Sequence, residues 1–334
     1  MVQFGDVPHP RVHHPDLLFD GPGRSPHHTA KERQMMKKFS RWVLLPLTLA
    51  TAGITLLAPS SAAVTGPNVV KDFEHEYVGL VGFYDEEGTF LHRCTGTLLS
   101  PQVFLTAGHC VAAEDDGTVA ALARIWFEQD AGADYDPVTG TPASSGYPES
   151  GGVTSDQLFN YGFTDLSGIP ETHDAGLIVL EPGAVEAVYP DIDTYGTLAP
   201  VGYADTLGTG IDAVVTVSGY GVTRTNGKNG NNTLSYRERL TGKTFIINAL
   251  NTNTAGYNLQ LASNFGGGRV GTCFGDSGGP IFAGDSSTVI AVNSWVKNYS
   301  CGGQGFPYRV DTADVQEWME DVLDPLGLWT AIAP

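Results

Sequence analysis

Residues 275–280 read Gly275-Asp276-Ser277-Gly278-Gly279-Pro280, and this hexapeptide decides which fold the rest of the chain must serve. A nucleophilic serine needs a sharp turn that exposes its hydroxyl and points backbone N–H groups at a developing oxyanion. Glycines on both sides permit that turn and keep side chains out of the reacting volume. The stretch also satisfies G-x-S-x-G, the strand–turn–helix elbow of the α/β-hydrolases. That fold takes its histidine after the serine, and no histidine follows His173 in this chain. The elbow reading fails on chain order.

A glycine-rich turn is common where no chemistry occurs, so a base and an acid must accompany the serine. Beyond residue 63 the histidines are His75, His92, His109 and His173. His109 stands in Thr106-Ala107-Gly108-His109-Cys110, directly after an apolar run and beside a cysteine able to pin its loop. Small neighbours leave the ring accessible while a disulfide limits its motion, which suits a general base. The third member should be a carboxylate that fixes the imidazole tautomer and stabilises the imidazolium. Asp174 opens Asp174-Ala175-Gly176-Leu177-Ile178-Val179-Leu180, and an acid leading into an apolar run is partly desolvated and needs a partner. The order His109, Asp174, Ser277 is that of chymotrypsin, not of subtilisin or the α/β-hydrolases.

Around these residues the chain reads as short strands. Forty-two glycines and twenty prolines with only 16% charged residues favour many turns over long helices. Strand-like runs cover Tyr77 to Phe83, Phe90 to Leu99, Val103 to Thr106, Leu177 to Leu180, Val214 to Val217, Phe245 to Ile247 and Val289 to Val292. Bounded by Gly, Pro, Asn and Asp, they predict an all-β sandwich or pair of barrels. Residues 130–171 read as loop. One helix is predicted at the end: Val315, Trp318, Met319, Val322 and Leu323 share a face, Asp311 is the expected N-cap, and Pro325 and Gly327 end it.

The chain resembles the trypsin/chymotrypsin-like serine proteases, especially secreted bacterial members. The resemblance runs from about residue 64 to 323. It rests on Gly96-Thr97-Leu98-Leu99-Ser100 through His109-Cys110, Asp174-Ala175-Gly176-Leu177, Ser218-Gly219-Tyr220-Gly221, the 275–280 hexapeptide and Ser294-Trp295. It implies two six-stranded antiparallel β-barrels, at about 64–185 and 186–310, with a C-terminal helix at about 311–323. His109, Asp174 and Ser277 would form a catalytic triad between the barrels, with an oxyanion hole from the N–H groups of Gly275 and Ser277. Ser294, Trp295 and Val296 would pair with an extended substrate. Gly271 and Thr272 would line the specificity pocket, with Val296 and Phe306 as its walls. Gly271 stands where trypsin-like members carry aspartate, and bulky walls make the pocket shallow, so cleavage after small or medium apolar residues is expected. Asp276 would receive a freed N-terminal amine. The implied chemistry is peptide hydrolysis through an acyl-enzyme, without metal or organic cofactor. Two alternatives stay open: a catalytically silent protein on a protease fold, and a secreted esterase using the same triad.

The four cysteines Cys94, Cys110, Cys273 and Cys301 all lie beyond residue 63; in an exported chain an even count reads as two disulfides in any of three pairings. The resemblance selects Cys94–Cys110 and Cys273–Cys301. Export is expected because Lys37, Lys38 and Arg41 precede the apolar run Trp42 to Ala58 and the small residues of Pro59-Ser60-Ser61-Ala62-Ala63. This describes a signal peptide over 35–63, cleaved after Ala63. Residues 1–34, rich in Pro and His, read as a disordered over-extended N-terminus. They carry no part of the fold.

Charge narrows the choice of partners. Lys and Arg number 18 against 37 Asp and Glu; residues 64–334 hold 11 and 33 of these, a net of −22. The balance argues against nucleic acid or an anionic membrane as the main partner; the protein or peptide substrates are what the resemblance implies, and a monomer is expected. Asp130, Asp134 and Asp136 match no calcium-loop template. Asn231-Asn232-Thr233 and Asn298-Tyr299-Ser300 match glycosylation acceptors, a pattern frequent by chance.

Overall fold

The computed structural model describes residues 64–112, 118–131, 151–222, 237–263 and 267–334. The signal peptide expected over 35–63, the 1–34 extension, Asp134, Asp136 and the acceptor at Asn231 lie outside the described residues.

A short strand β1 (Val70–Lys71) precedes the first barrel, which uses β2 (Val78–Tyr84), β3 (Phe90–Ser100), β4 (Val103–Thr106), β5 (Leu122–Trp126), β6 (Val153–Ser155), β7 (Gln157–Asn160) and β8 (Gly176–Val179). Their order is β6-β5-β2-β3-β4-β8-β7, every neighbour antiparallel. Only Asp156 separates β6 from β7, so the two are one bent strand that pairs with β5 at one end and β8 at the other. Counted so, the barrel has the six expected strands and is closed. This bent strand is the one that the polar composition of residues 130–171 hides; Val153 and Ser155 are buried but Thr154 is exposed and residues 157–160 are half-buried, and the barrel edge on each side gives them backbone partners.

After β9 (Thr197–Leu198), the second barrel takes β10 (Val214–Gly219), β11 (Leu240–Asn248), β12 (Gln260–Ser263), β13 (Pro280–Ala283), β14 (Thr288–Val296) and β15 (Gly303–Arg309). The path β11-β10-β13-β14-β15-β12 closes through the β11–β12 pair, again six strands, with β1 and β9 as additions outside the ring. Alternation fits: in β11 the buried Leu240, Gly242, Thr244 and Ile246 alternate with more exposed neighbours.

Apolar burial holds the first barrel, as Val215, Val217, Ile281 and Ile290 do the second. Leu80, Phe83, Leu98, Phe104, Leu105, Ile125, Leu177 and Ile178 have no exposed surface, and each such side chain stabilises the fold by about 1.5–3 kcal/mol. Packing is close enough to dictate Gly96: a Cβ there would lie 2.2 Å from the Phe104 ring and 2.5 Å from the Leu105 carbonyl. The core of the first barrel runs on into Phe282, Val292, Tyr308 and Val310 of the second, and into the final helix.

Among the described residues the α-helices are short or terminal: α1 (Gly108–Val111), α2 (Ala184–Val188), α3 (Tyr203–Thr206) and α4 (Ala313–Leu323). On α4, Val315, Met319 and Leu323 are buried and Trp318 and Val322 pack beside them, the predicted face. The expected cap is corrected. Thr312 occupies the N-cap position and makes no side-chain cap bond. Asp311 instead accepts from the Ala204 N–H at 2.7 Å and from Arg309 Nε at 2.8 Å, a buried pair too valuable to spend on a helix end. A second buried cation, Arg239, donates to the carbonyls of Asp72, Val78 and Phe127 and to the Tyr220 hydroxyl at 2.8–3.2 Å. It stitches the segment before β2 to both barrels.

Candidate active site

β4 ends in Thr106, and one turn of helix follows at once, so His109 sits where the strand's direction is spent. The next residue, Cys110, is bonded to Cys94 of β3, which ties that turn to the neighbouring strand. The other disulfide is Cys273–Cys301, so both pairings are those the resemblance implied.

Asp174 precedes β8, which pairs with β4 in a register that sets Gly176 opposite Thr106. The aspartate is fully buried and accepts from the His109 backbone N–H at 2.7 Å and from His109 Nδ1 at 2.9 and 3.0 Å. The Ser294 hydroxyl donates to its other side. With Nδ1 donating, the neutral ring presents Nε2 as its acceptor. Burial alone would raise the Asp174 pKa, but the imidazole charge and these donors outweigh it and hold the group below its ordinary value. Burial pushes His109 the other way, below its ordinary value despite the pull of Asp174. The pair therefore rests as carboxylate and neutral imidazole at neutral pH.

Ser277 is brought to the same place by its glycines. Gly278 has φ +76, and a Cβ there would stand 2.1 Å from Thr106 Oγ1 and 2.6 Å from the Ala107 nitrogen. The residue after the serine is thus pressed onto the end of β4, directly ahead of His109. The Gly278 N–H donates to the Asn293 carbonyl at 2.8 Å, and the Asn293 N–H donates to Gly279 at 2.9 Å, which docks the turn beside Ser294 and hence Asp174. Thr95 fixes the near side, its N–H donating to the Ser277 carbonyl at 2.8 Å. The Ser277 turn and the His109–Asp174 pair are thus both seated against the end of β4. Gly275 adopts φ +98, a conformation that favours glycine.

Asp276 is wedged between Gly219 and Gly221; a Cβ on either would fall within 2.5 Å of its carboxyl group. Its oxygens accept from the N–H groups of Gly221 and Cys273, each at 2.8 Å. Burial nevertheless raises its pKa to about 7. Val64 is buried, and Thr65 exchanges backbone bonds of 2.8 and 2.7 Å with Gly271.

The expected pocket residues do gather. Trp295 and Phe306 stack with centroids 3.9 Å apart and planes within 4°, while Val296 stands opposite Gly305. Gly271 faces Ser263, 2.8 Å from where its Cβ would be. Ser263 and Thr272 hydroxyls lie 3.6 Å from the equivalent point on Gly305. Ser263 and Gly305 were not singled out from sequence; the serine belongs to no motif, and only the β12–β15 pairing brings it there. Ser294, expected to meet substrate, spends its hydroxyl on Asp174. Cys94, His109 and Cys110 also cluster within 4.8 Å, but both sulfurs are consumed by the disulfide and offer no thiolate to a metal.

Two closed barrels with a His–Asp pair and a glycine-flanked serine at their seam define a serine-protease fold. The family model described as Trypsin matches residues 74–319, well over half of the chain, and the chain belongs to that family. It is 26% identical over 294 residues to chymotrypsin-like elastase family member 3B of Homo sapiens, covering 86% of this chain and 99% of that protein. Among solved structures, HL collagenase superposes with TM-score 0.53 at 19% identity, covering 78% of this chain and 97% of that one. Human heparin binding protein follows at TM-score 0.50 and 18% identity, covering 78% and 96%. These two share the fold. Among the described residues no helix is long and apolar enough to cross a membrane.

Proposed function

We propose that the chain is a secreted serine endopeptidase that acts as a monomer on proteins or peptides. The observation that carries this reading is His109 Nδ1 held on a buried Asp174, with the Ser277 turn docked beside it. His109 Nε2 takes the Ser277 proton as Oγ attacks the scissile carbonyl, and the Gly275 and Ser277 N–H groups receive the oxyanion. His109 then gives the proton to the leaving amine, whose departure leaves an acyl-enzyme. Water, deprotonated by the same imidazole, attacks the acyl carbon; the proton returns to Ser277 and the acid product leaves. No step calls for a metal or organic cofactor.

The strand edge at Ser294–Val296 suits an extended peptide added antiparallel, which favours peptides over simple esters. With glycine at 271, no carboxylate at the pocket base and the Trp295–Phe306 stack filling its side, the residue before the cut is small or medium and apolar. Signal peptidase cutting after Ala63 would free the Val64 amine, which then pairs with Asp276. The mutual Thr65–Gly271 bonds support this, because they lay the new terminus against the pocket base. Mass spectrometry of the active exported protein should find Val64 first.

The deciding experiment incubates the purified exported protein with a diverse peptide mixture, with Ser277→Ala as control. Cleavage after small apolar residues, abolished in the control, is expected, together with fluorophosphonate labelling of Ser277. Labelling without peptide cleavage would favour an esterase; no labelling would leave a silent binding protein. Dominant cleavage after Arg or Lys would refute the pocket assignment.

A further inference from the structure

One peptide group, between Phe274 and Gly275, carries an arm of the proposed oxyanion hole. A trans peptide is planar, with its C=O and N–H pointing to opposite sides. Whatever holds the Phe274 carbonyl therefore aims the Gly275 N–H. Two donors hold it: the Val222 N–H at 2.8 Å and Arg93 Nη2 at 3.4 Å. The guanidinium packs directly on the glycine, since a Cβ at Gly275 would fall 2.9 Å from Nη2 and 3.0 Å from Cζ. Glycine populates positive and negative φ about equally, so position 275 is where this peptide is freest to turn over. A latch is most useful there.

Arg93 is itself well anchored. It lies in β3 next to Cys94, whose disulfide reaches the residue after His109. Two residues on, Thr95 Oγ1 donates to the Gly275 carbonyl at 2.7 Å and the Thr95 N–H to the Ser277 carbonyl at 2.8 Å. β3 thus grips the carbonyls at 274, 275 and 277.

We propose that Arg93 is a positioning residue: its guanidinium holds the Phe274 carbonyl outward and so keeps the Gly275 N–H trained on the oxyanion. This rests on the reading of Ser277 as nucleophile. Val222 donates through its backbone, which only proline would remove and at the cost of bending the chain there, so Arg93 is the half of the latch that a side-chain substitution can reach. Losing an oxyanion donor outright costs about 10²–10³ in kcat; a peptide held only by Val222 keeps part of its alignment, and about tenfold is expected.

The test compares wild type with Arg93→Met and Arg93→Lys as full processed proteins. Each is read with a peptide substrate, the matching peptide aldehyde and the matching peptide alcohol. The aldehyde forms an oxyanion-bearing adduct with the serine; the alcohol fills the same pockets without one. Arg93→Met should lose about tenfold in kcat and in aldehyde affinity, with KM and alcohol affinity within about twofold of wild type. Arg93→Lys, which keeps a cationic donor, should recover most of the loss. Should Arg93→Met fail to fold, Arg93→Gln is read in the same assays, with a smaller loss in the same pattern. Equal loss of aldehyde and alcohol would overturn the latch in favour of a merely structural role, and unchanged kinetics would overturn it outright. If wild type neither cleaves peptide nor takes up fluorophosphonate, the fault lies with the serine-protease reading.

Discussion

Replacing Asp174 with asparagine changes one atom, and the surrounding donors determine how the amide must lie. The carboxylate's Oδ1 faces the His109 backbone N–H at 2.7 Å and Nδ1 at 3.0 Å; Oδ2 faces Nδ1 at 2.9 Å and the Ser294 hydroxyl. An amide NH2 in the Oδ1 position would meet a backbone N–H head on at 2.7 Å, two donors with no acceptor lone pair between them. Backbone cannot change tautomer. Imidazole and hydroxyl can adapt, so the amide oxygen takes the Oδ1 site and the NH2 turns to Nδ1 and Ser294. Nδ1 must then accept, which places the ring proton on Nε2, the nitrogen that has to receive the proton of Ser277. The expected loss in kcat for such a tautomer switch is about 10⁴-fold, or about 5.4 kcal/mol of transition-state stabilisation. KM should hardly move, because the pocket is untouched. Steady-state kinetics on a peptide substrate, with thermal unfolding to show a folded variant, measures both. A folded Asp174→Asn variant retaining more than a tenth of wild-type kcat would refute the assignment of Nδ1 and Nε2 to their roles.

Other consequences are more local. Asp276 has its folded pKa raised to about 7 from an unfolded value near 4; the folded state therefore binds the extra proton, and stability falls as pH rises between those values. Unfolding midpoints of a chain kept from processing at Ala63 should show that decline, and Asp276→Asn or a free Val64 amine should flatten it. Asp174, lowered instead, contributes stability that is present above its unfolded pKa and fades as pH drops through the folded one; Ser294→Ala should weaken that contribution and move the acid limb of unfolding toward higher pH. The Cys94–Cys110 bond closes a loop with a sequence separation of 16, so Cys94→Ala with Cys110→Ala should cost about 3 kcal/mol in chemical denaturation. Arg239→Met strands the carbonyls of Asp72, Val78 and Phe127 without their buried donor and should cost at least about 3 kcal/mol, with activity lost only as the fold is lost.

The candidate site was legible where chemistry and backbone geometry demand the same residues. Ser277 needs its glycines both to turn and to let Thr106 approach, so the local string advertises the function. His109 and Asp174 are each followed or preceded by strands that pair in register, and the apolar runs of those strands are visible without coordinates. Legibility fails where a residue's partner comes from elsewhere in the chain. Asp311 looks like a cap because acids precede helices; nothing local announces Arg309 and Ala204 as stronger claimants. Polar segment 153–160 looks like a loop because its strands are completed from outside. Arg93 is the sharpest instance. Its neighbours in sequence say strand, its charge says solvent, and only the docking of two barrels sets its guanidinium on the carbonyl of Phe274. Residues that do chemistry leave motifs, whereas residues that aim the chemistry act through pairings 181 positions apart and leave none. Selection on such a residue would act on orientation rather than identity of the reacting groups, which is why rate and transition-state affinity, not fold or substrate binding, are the quantities that must change when it is removed.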